Sequence, residues 1–208
     1  MVLTSKKLIE LLRAASIDII NSAEYLNKLD AVMGDGEHGS NMRKCFTAVN
    51  NKLESWTELR IHEILNQTGM TLLSSGGGTA TTLLGFVFMK AANWAKDLEV
   101  LDEQNIALVW KTAFESLKAR SKAQLGDKTL LDALEPATIA FCKAVDEGLK
   151  LDQAIEKAAE AANLGAENTK QMIAKKGRGL YVGERGINTP DPGATSISII
   201  LEAWRKAI

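Results

Sequence analysis

Two cysteines in 208 residues, Cys45 and Cys142, are too few and too far apart for a disulfide framework or a thiolate metal site. Three prolines and an aromatic content of 5% argue against a sandwich or barrel of many short strands. Charge of one sign is lacking as well. Twenty-five Lys and Arg stand against 26 Asp and Glu, a net of −1, so nothing global draws the chain to nucleic acid or to an anionic membrane. The first segment, MVLTSKKLIELLRAAS, carries charge throughout and reads as neither a signal peptide nor a spanning helix. What remains is an ordinary globular composition, 46% hydrophobic and 25% charged. The expectation is a single domain over residues 1–208, located in the cytoplasm.

What the sequence does contain is helical period. Leu8, Leu11, Leu12, Ala15, Ile19 and Ile20 form one stripe, predicting a helix over 5–26. Further helices are expected over 41–54, over 57–73 with Thr57 as N-cap, and over TATTLLGFVFMKAANWA, apolar almost all round. The pattern continues over 103–121, 127–147, 151–175 (opened by Asp152) and 193–207. Ser196 to Leu201 is the only β-branched run, and it is short. The fold class is therefore all-α, with eight helices in a bundle.

Three glycine-rich loops break this pattern: GDGEHGS (34–40), SSGGGT (74–79) and GRGLYVGERGINTPDPG (177–193). Three such loops in one bundle point to a ligand site at one end. The first holds Asp30, Asp35 and Glu37 among glycines, a set suited to a hard oxygen-seeking cation such as Mg²⁺. The same residues also read as a solvated acidic turn in front of a helix. Glycines running into a helix N-terminus make an anion site, or else a plain helix–helix turn; no Lys follows, so the second loop is not a P-loop. The third carries Arg178, Glu184 and Arg185, then Asp191–Pro192–Gly193, and Arg is the natural partner of phosphate oxygens. Together the three form a nucleotide–metal constellation. His62, Cys45 and Cys142 read as boundary or core residues, and the four dispersed tryptophans as packing.

The blocks LDAVMGDGEHGSNM, GMTLLSSGGGTATTLLG, KAQLGDKTLLDAL and KKGRGLYVGERGINTPDPGATS resemble, in order and spacing, the L subunit of dihydroxyacetone kinases. The resemblance runs from about Leu26 to Ser196. It implies an eight-helix antiparallel barrel with ADP or ATP and two Mg²⁺ at one end. It also implies a K subunit holding dihydroxyacetone and a phosphoryl-carrier M subunit that recharges ADP on this chain. Further implied partners are a transcription regulator and a second copy of the chain. Carried over residue by residue, Asp30, Asp35 and Glu37 match the metal-holding carboxylates. His38, Ser40 and Asn41 match the segment that meets phosphates and ribose, and Gly78, Thr79 and Ala80 match the phosphate cradle. Arg178 matches the phosphate-binding arginine, with His38 beside it in the catalytic set. Ser121 opens the KAQ block, Leu130 falls where an apolar side chain packs on adenine, and Asp191, Pro192 and Gly193 close the pocket. With two metals, ADP, three carboxylates and Arg178, the site would carry about one net negative charge.

The chain departs from the pattern around the nucleotide. Glu37 replaces an Asp, Ala80 a Ser, Ser121 a Gly and Thr189 a His. Thr79, Thr81 and Thr82 are the hydroxyls available in place of the missing serine. The resemblance implies transfer of a phosphoryl group from Mg-bound ATP to a ketose held by the K subunit. Two alternatives stay open: a kinase subunit for another short ketose such as a tetrulose, and a regulatory protein that chooses partners by nucleotide state.

Overall fold

The computed structural model describes residues 2–98 and 101–208, so Met1, Glu99 and Val100 of the expected domain lie outside the described residues. Among these, nine α-helices and no strand appear, apart from one isolated bridge between Leu3 and Leu101. The helices are α1 (Ser5–Asn21), α2 (Ala23–Met33), α3 (His38–Asn50), α4 (Ile61–Ser75), α5 (Thr79–Trp94), α6 (Glu103–Ser121), α7 (Leu131–Asp146), α8 (Leu151–Asn168) and α9 (Pro192–Ala207).

Eight of them close a ring. In order α1, α3, α4, α5, α6, α7, α8 and α9, each packs on the next, and α9 returns to α1. Most connections between neighbours are short, as in an antiparallel bundle; the longest, over 169–191 between α8 and α9, carries the third glycine-rich loop. Helix α2 is the extra element, packed on α3 and α9 at the loop end. The first apolar stripe is thus two helices: it breaks at Ser22, whose N–H bonds Asp18 and Ile20 carbonyls, and resumes through Leu26, Leu29 and Met33.

Other boundaries shift for local reasons. Helix α3 begins at His38 rather than Asn41 because the Asp30 carboxylate accepts the N–H groups of Glu37 and His38, at 3.0 and 3.1 Å. Thr57 caps nothing: its hydroxyl donates to Glu54 O behind a short 3₁₀ turn, and α4 starts at Ile61. Helix α7 starts at Leu131, not 127, because a loop tied by Asp132 occupies the preceding residues. Helix α8 ends at Asn168 and passes into a 3₁₀ turn over Thr169–Gln171. The β-branched run at Ser196 to Leu201 lies inside α9, where Ile197, Ile200 and Leu201 are buried.

Apolar side chains fill the ring. Phe46, Phe141, Leu12, Ile19, Leu72 and Leu117 are fully buried. Trp110 stacks on Phe141 (centroids 4.7 Å apart) and meets Trp204 edge-on at 6.0 Å. An apolar cavity of about 150 Å³ lies between them and Leu8, Leu84, Phe88 and Ile200. Two walls approach unusually closely through glycine. A Cβ on Gly69 of α4 would stand 2.7 Å from Gly85 O of α5, and one on Gly165 of α8 would stand 2.2 Å from Asp132 O of α7. No helix among the described residues is long and apolar enough to cross a membrane.

Candidate functional site

The loops gather at one end of the ring around a cleft of about 730 Å³. Asp30, Asp35, His38 and Asn41 line it from the α2–α3 side, Gly77 to Leu83 from the start of α5, and Ser121, Ala123 and Lys128 to Leu131 from the α6–α7 connection. Lys176 to Gly179 and Asp191 to Gly193 complete the wall. Of the residues singled out in the sequence, Asp30, Asp35, His38, Asn41, Gly78, Thr79, Ala80, Ser121, Leu130, Arg178, Asp191, Pro192 and Gly193 come together here. Glu37 and Ser40 do not line the cleft. Glu37 is exposed, and Ser40 is turned to α2, where its N–H and hydroxyl both bond the Asn27 side chain.

The anion-binding feature is the start of α5. Gly78 stands at its N-cap with φ +88°, a left-handed conformation that glycine adopts at no steric cost, and no side chain caps the helix. The first backbone N–H groups of a 16-residue helix therefore open to the cleft, where the helix dipole favours negative charge. Thr81 donates its hydroxyl to Gly77 O and Gly78 O, and Thr82 donates to Gly78 O. Those two hydroxyls hold the loop's shape and do not replace the missing serine, which leaves Thr79. Asn41 braces the same loop from α3: a Cβ on Gly77 would come within 3.1 Å of its Oδ1.

Cations complement this end. Arg120, Lys128, Lys176 and Arg178 all line the cleft, against Asp30, Asp35 and Asp191. Arg178 follows Gly177 at the start of a 3₁₀ turn and forms an ion pair with Asp35. Arg120 also lies over the Phe86 ring, 4.9 Å from its centroid.

Asp30 and Asp35 offer hard oxygens to the cleft, and Asp30 folds back over Gly34, where a Cβ would meet its Oδ1 at 2.5 Å. That cradle fits one hard cation shared with phosphate oxygens. Among the described residues no three His, Cys, Asp or Glu side chains stand together as a metal-holding group, and Glu37 does not line the cleft.

His38 ties α3 to α9 through a 2.7 Å hydrogen bond between Nε2 and the Ser196 hydroxyl, which in turn donates to Pro192 O. Burial lowers the imidazole pKa, opposed by the Asp30 charge and a Pro192 backbone hydrogen bond. Asp191 caps α9, accepting from Ala194 N at 2.7 Å. Burial pushes its carboxyl up to about 7, against the pull of the Ala194 and Gly193 N–H groups and of Lys128, while Asp132 adds to the rise.

Sequence reasoning passed over Lys128, Asp132 and Ser196. Lys128 is 2% exposed, and its ammonium donates to Met172 O (3.1 Å) and Gly186 O (2.8 Å). Asp132 accepts the N–H groups of Gly126 and Thr129 at 2.6 and 2.7 Å. Neither residue belongs to a periodic stripe or a glycine-rich loop; the only signal was the charge pair flanking Thr129 to Leu131 in the KAQLGDKTLLDAL block. Ser121, where the family has Gly, uses its hydroxyl on the turn, donating to Lys118 O and accepting from Ala123 N.

Known proteins resemble this chain in sequence and in fold. The sequence is 37% identical to the ADP-binding subunit DhaL of the PEP-dependent dihydroxyacetone kinase of Escherichia coli, over 86% of each chain. It is 31% identical to the ADP-binding subunit DhaL of a PTS-dependent dihydroxyacetone kinase of Lactococcus lactis, over 99% of each. An L-erythrulose kinase of Pectobacterium atrosepticum is 31% identical over 92% of this chain, which spans 33% of that protein. The fold is that of the crystal structure of the dihydroxyacetone kinase of C. freundii, with a TM-score of 0.77 at 22% identity over 97% of this chain and 34% of that one. A second structure of the C. freundii kinase, in complex with AMP-PNP and Mg²⁺, superposes with a TM-score of 0.73 over 33% of its chain. The profile of the DAK2 domain matches residues 32–206. With that match and those full-length relatives, the chain belongs to the DAK2 domain family, among the ADP-binding subunits of dihydroxyacetone kinases.

Proposed function

We propose that the chain is the ADP-binding subunit of a dihydroxyacetone kinase: it takes a phosphoryl group from a carrier subunit onto bound ADP and passes it to dihydroxyacetone held by a separate K subunit. The observation that carries this reading is the uncapped start of α5 facing Arg178, Lys176, Arg120 and the Asp30 and Asp35 carboxylates across one cleft. Phosphoryl transfer asks chiefly for positioning and charge neutralisation, and these residues supply both without a protein nucleophile. The γ-phosphorus–oxygen bond of ATP breaks, the ketose hydroxyl oxygen bonds the phosphorus, and the hydroxyl proton leaves.

In this reading Gly78, Thr79 and Ala80 offer backbone N–H groups to the phosphates, and Arg178 meets the transferring group. His38 and Asn41 orient phosphates and ribose, with Ser40 holding the start of α3 to α2. Leu130 and Ser121 border the base, and Asp191, Pro192 and Gly193 close the pocket. Mg²⁺, when bound, supplies Lewis acidity at phosphate oxygens. Asp30 and Asp35 would hold it, and a second ion requires Glu37 to turn inward. Residues 1–208 act as one nucleotide-binding unit in the cytoplasm. Further proposed partners are a transcription regulator and a second copy of the chain.

A second reading rests on the relatives named L-erythrulose kinases. No residue assigned here touches the sugar, so a K-like partner bringing a tetrulose would use the same cleft.

The test is the content of protein purified without added nucleotide. About one ADP and about two Mg²⁺ per chain are expected on denaturation, with transfer to dihydroxyacetone once the K subunit is added. Protein that arrives empty and takes up neither ADP nor ATP with Mg²⁺ overturns the reading. Retained ADP with transfer to L-erythrulose alone selects the second.

A further inference from the structure

Lys128 sits where a lysine is costly. It is 2% exposed, burial lowers its pKa against the Asp191 charge, and its backbone φ is +60°. A left-handed non-glycine residue persists only where its surroundings over-determine it. Here Asp132 does so, by taking the N–H groups of Gly126 and Thr129 on either side of Lys128. Asp127 adds to this, its carboxylate holding Gln124 N and its carbonyl accepting from Lys175 N.

The cost secures two backbone carbonyls. Met172 O and Gly186 O flank the segment that carries Lys176 and Arg178 into the cleft, and the Lys128 ammonium donates to both. The segment's other anchors lie near its start, where Ala174 is buried, Lys175 N donates to Asp127 O and Arg178 pairs with Asp35. Leu180 and Tyr181 are 51% and 84% exposed, Gly177 and Gly183 adopt positive φ, and Gly179 and Gly186 rest on Met33. The loop bearing Lys128 also carries Leu130, which lines the same cleft as Asp35 and Arg178.

We propose that Lys128 is a positioning residue for phosphoryl transfer, an ammonium staple across Met172 O and Gly186 O that holds the Arg178 segment over the nucleotide cleft. The proposal rests on the cleft being the nucleotide site. It goes beyond that reading by assigning a role to a buried residue that touches no phosphate. Several donors on a flexible stem suit the task, since both carbonyls are met from one buried point.

The experiment compares wild type, Lys128→Met, Arg178→Ala and the double variant. Amide hydrogen exchange of residues 173–186 is followed in nucleotide-free protein, alongside kcat and KM for the phosphorylated carrier subunit in the assembled kinase. Lys128→Met is expected to speed exchange in that segment about tenfold or more and to lower kcat about tenfold, with KM for the carrier changed by less than about threefold. The double variant is expected to be no slower than Arg178→Ala alone, because both changes remove the same positioned guanidinium. Unchanged exchange, a kcat within about twofold of wild type, or losses that multiply in the double variant overturn the proposal. If Lys128→Met does not fold, Lys128→Gln, which retains a donor for one carbonyl, is measured in the same way. If wild type binds no nucleotide, the cleft reading fails, and the exchange comparison alone judges the staple.

Discussion

The walls of the ring and its loop end are held by different means. Between α4 and α5 the stabilisation is spread over many apolar side chains, and Gly69 and Gly85 let the backbones nearly touch. At the loop end four polar side chains each hold two or more groups. Asp30 caps α3, Asp132 ties the α6–α7 loop, Lys128 staples the Arg178 segment, and Asp191 caps α9. The wall resists change by close packing and carries no chemistry. At the loop end each bond matters singly, so a change there alters geometry before it unfolds the protein.

Substitutions can press on this contrast. The largest loss of stability is expected from Gly69→Val, whose Cβ would meet Gly85 O at 2.7 Å and Met89 N at 3.0 Å. A cost of about 3 kcal/mol lowers the melting temperature by about 6–12 °C for a chain of this size, while nucleotide affinity of the folded protein stays unchanged. Calorimetric melting and nucleotide titration check the pair of outcomes; weakened affinity would erase the distinction between wall and site. Asp132→Ala is expected to cost less, about 1–3 kcal/mol, by leaving two N–H groups without acceptors. It should also weaken nucleotide binding about tenfold, through the Leu130 loop. A third effect shows as pH dependence rather than as a loss at one pH. The Asp191 carboxyl titrates near 7 in the folded protein, well above its ordinary 3.8. Between about pH 4 and 7 the folded chain therefore keeps a proton that the unfolded chain has lost, and stability falls as pH rises. Asp191→Asn keeps an oxygen for Ala194 N and removes that slope. Urea midpoints at pH 4, 5.5 and 7 should converge on wild type at the acid end and diverge by pH 7; parallel profiles would refute it.

The same contrast explains what was legible in the sequence. Apolar period placed the ring, because burial repeats every turn and leaves its mark on residues such as Leu8, Leu12 and Ile19. It missed the break at Ser22, since the stripe runs on through Ala23 and Leu26 without a Gly or Pro. Glycine-rich runs located the cleft, and most of the residues named from them do line it. The cross-links were not legible. Asp30 caps Glu37 and His38 from the previous helix, and Lys128 reaches Met172 and Gly186, partners fixed only once the ring has closed. Glu37 and Ser40 lie in the same loop as Asp35 and His38 yet stand outside the cleft lining, because spacing within a loop does not say which side chains turn inward.

In the proposed reading of the cleft, the ion pair between Asp35 and Arg178 makes each residue a placeholder for a guest. Phosphate must take Asp35's place beside Arg178, and a divalent cation must take Arg178's place beside Asp35. Either guest alone strands one charge; both together exchange partners with none left over. Nucleotide and cation are therefore linked ligands, each raising the other's affinity by the same factor. Because Arg178 is 66% exposed and Asp35 35%, that factor shrinks as salt rises.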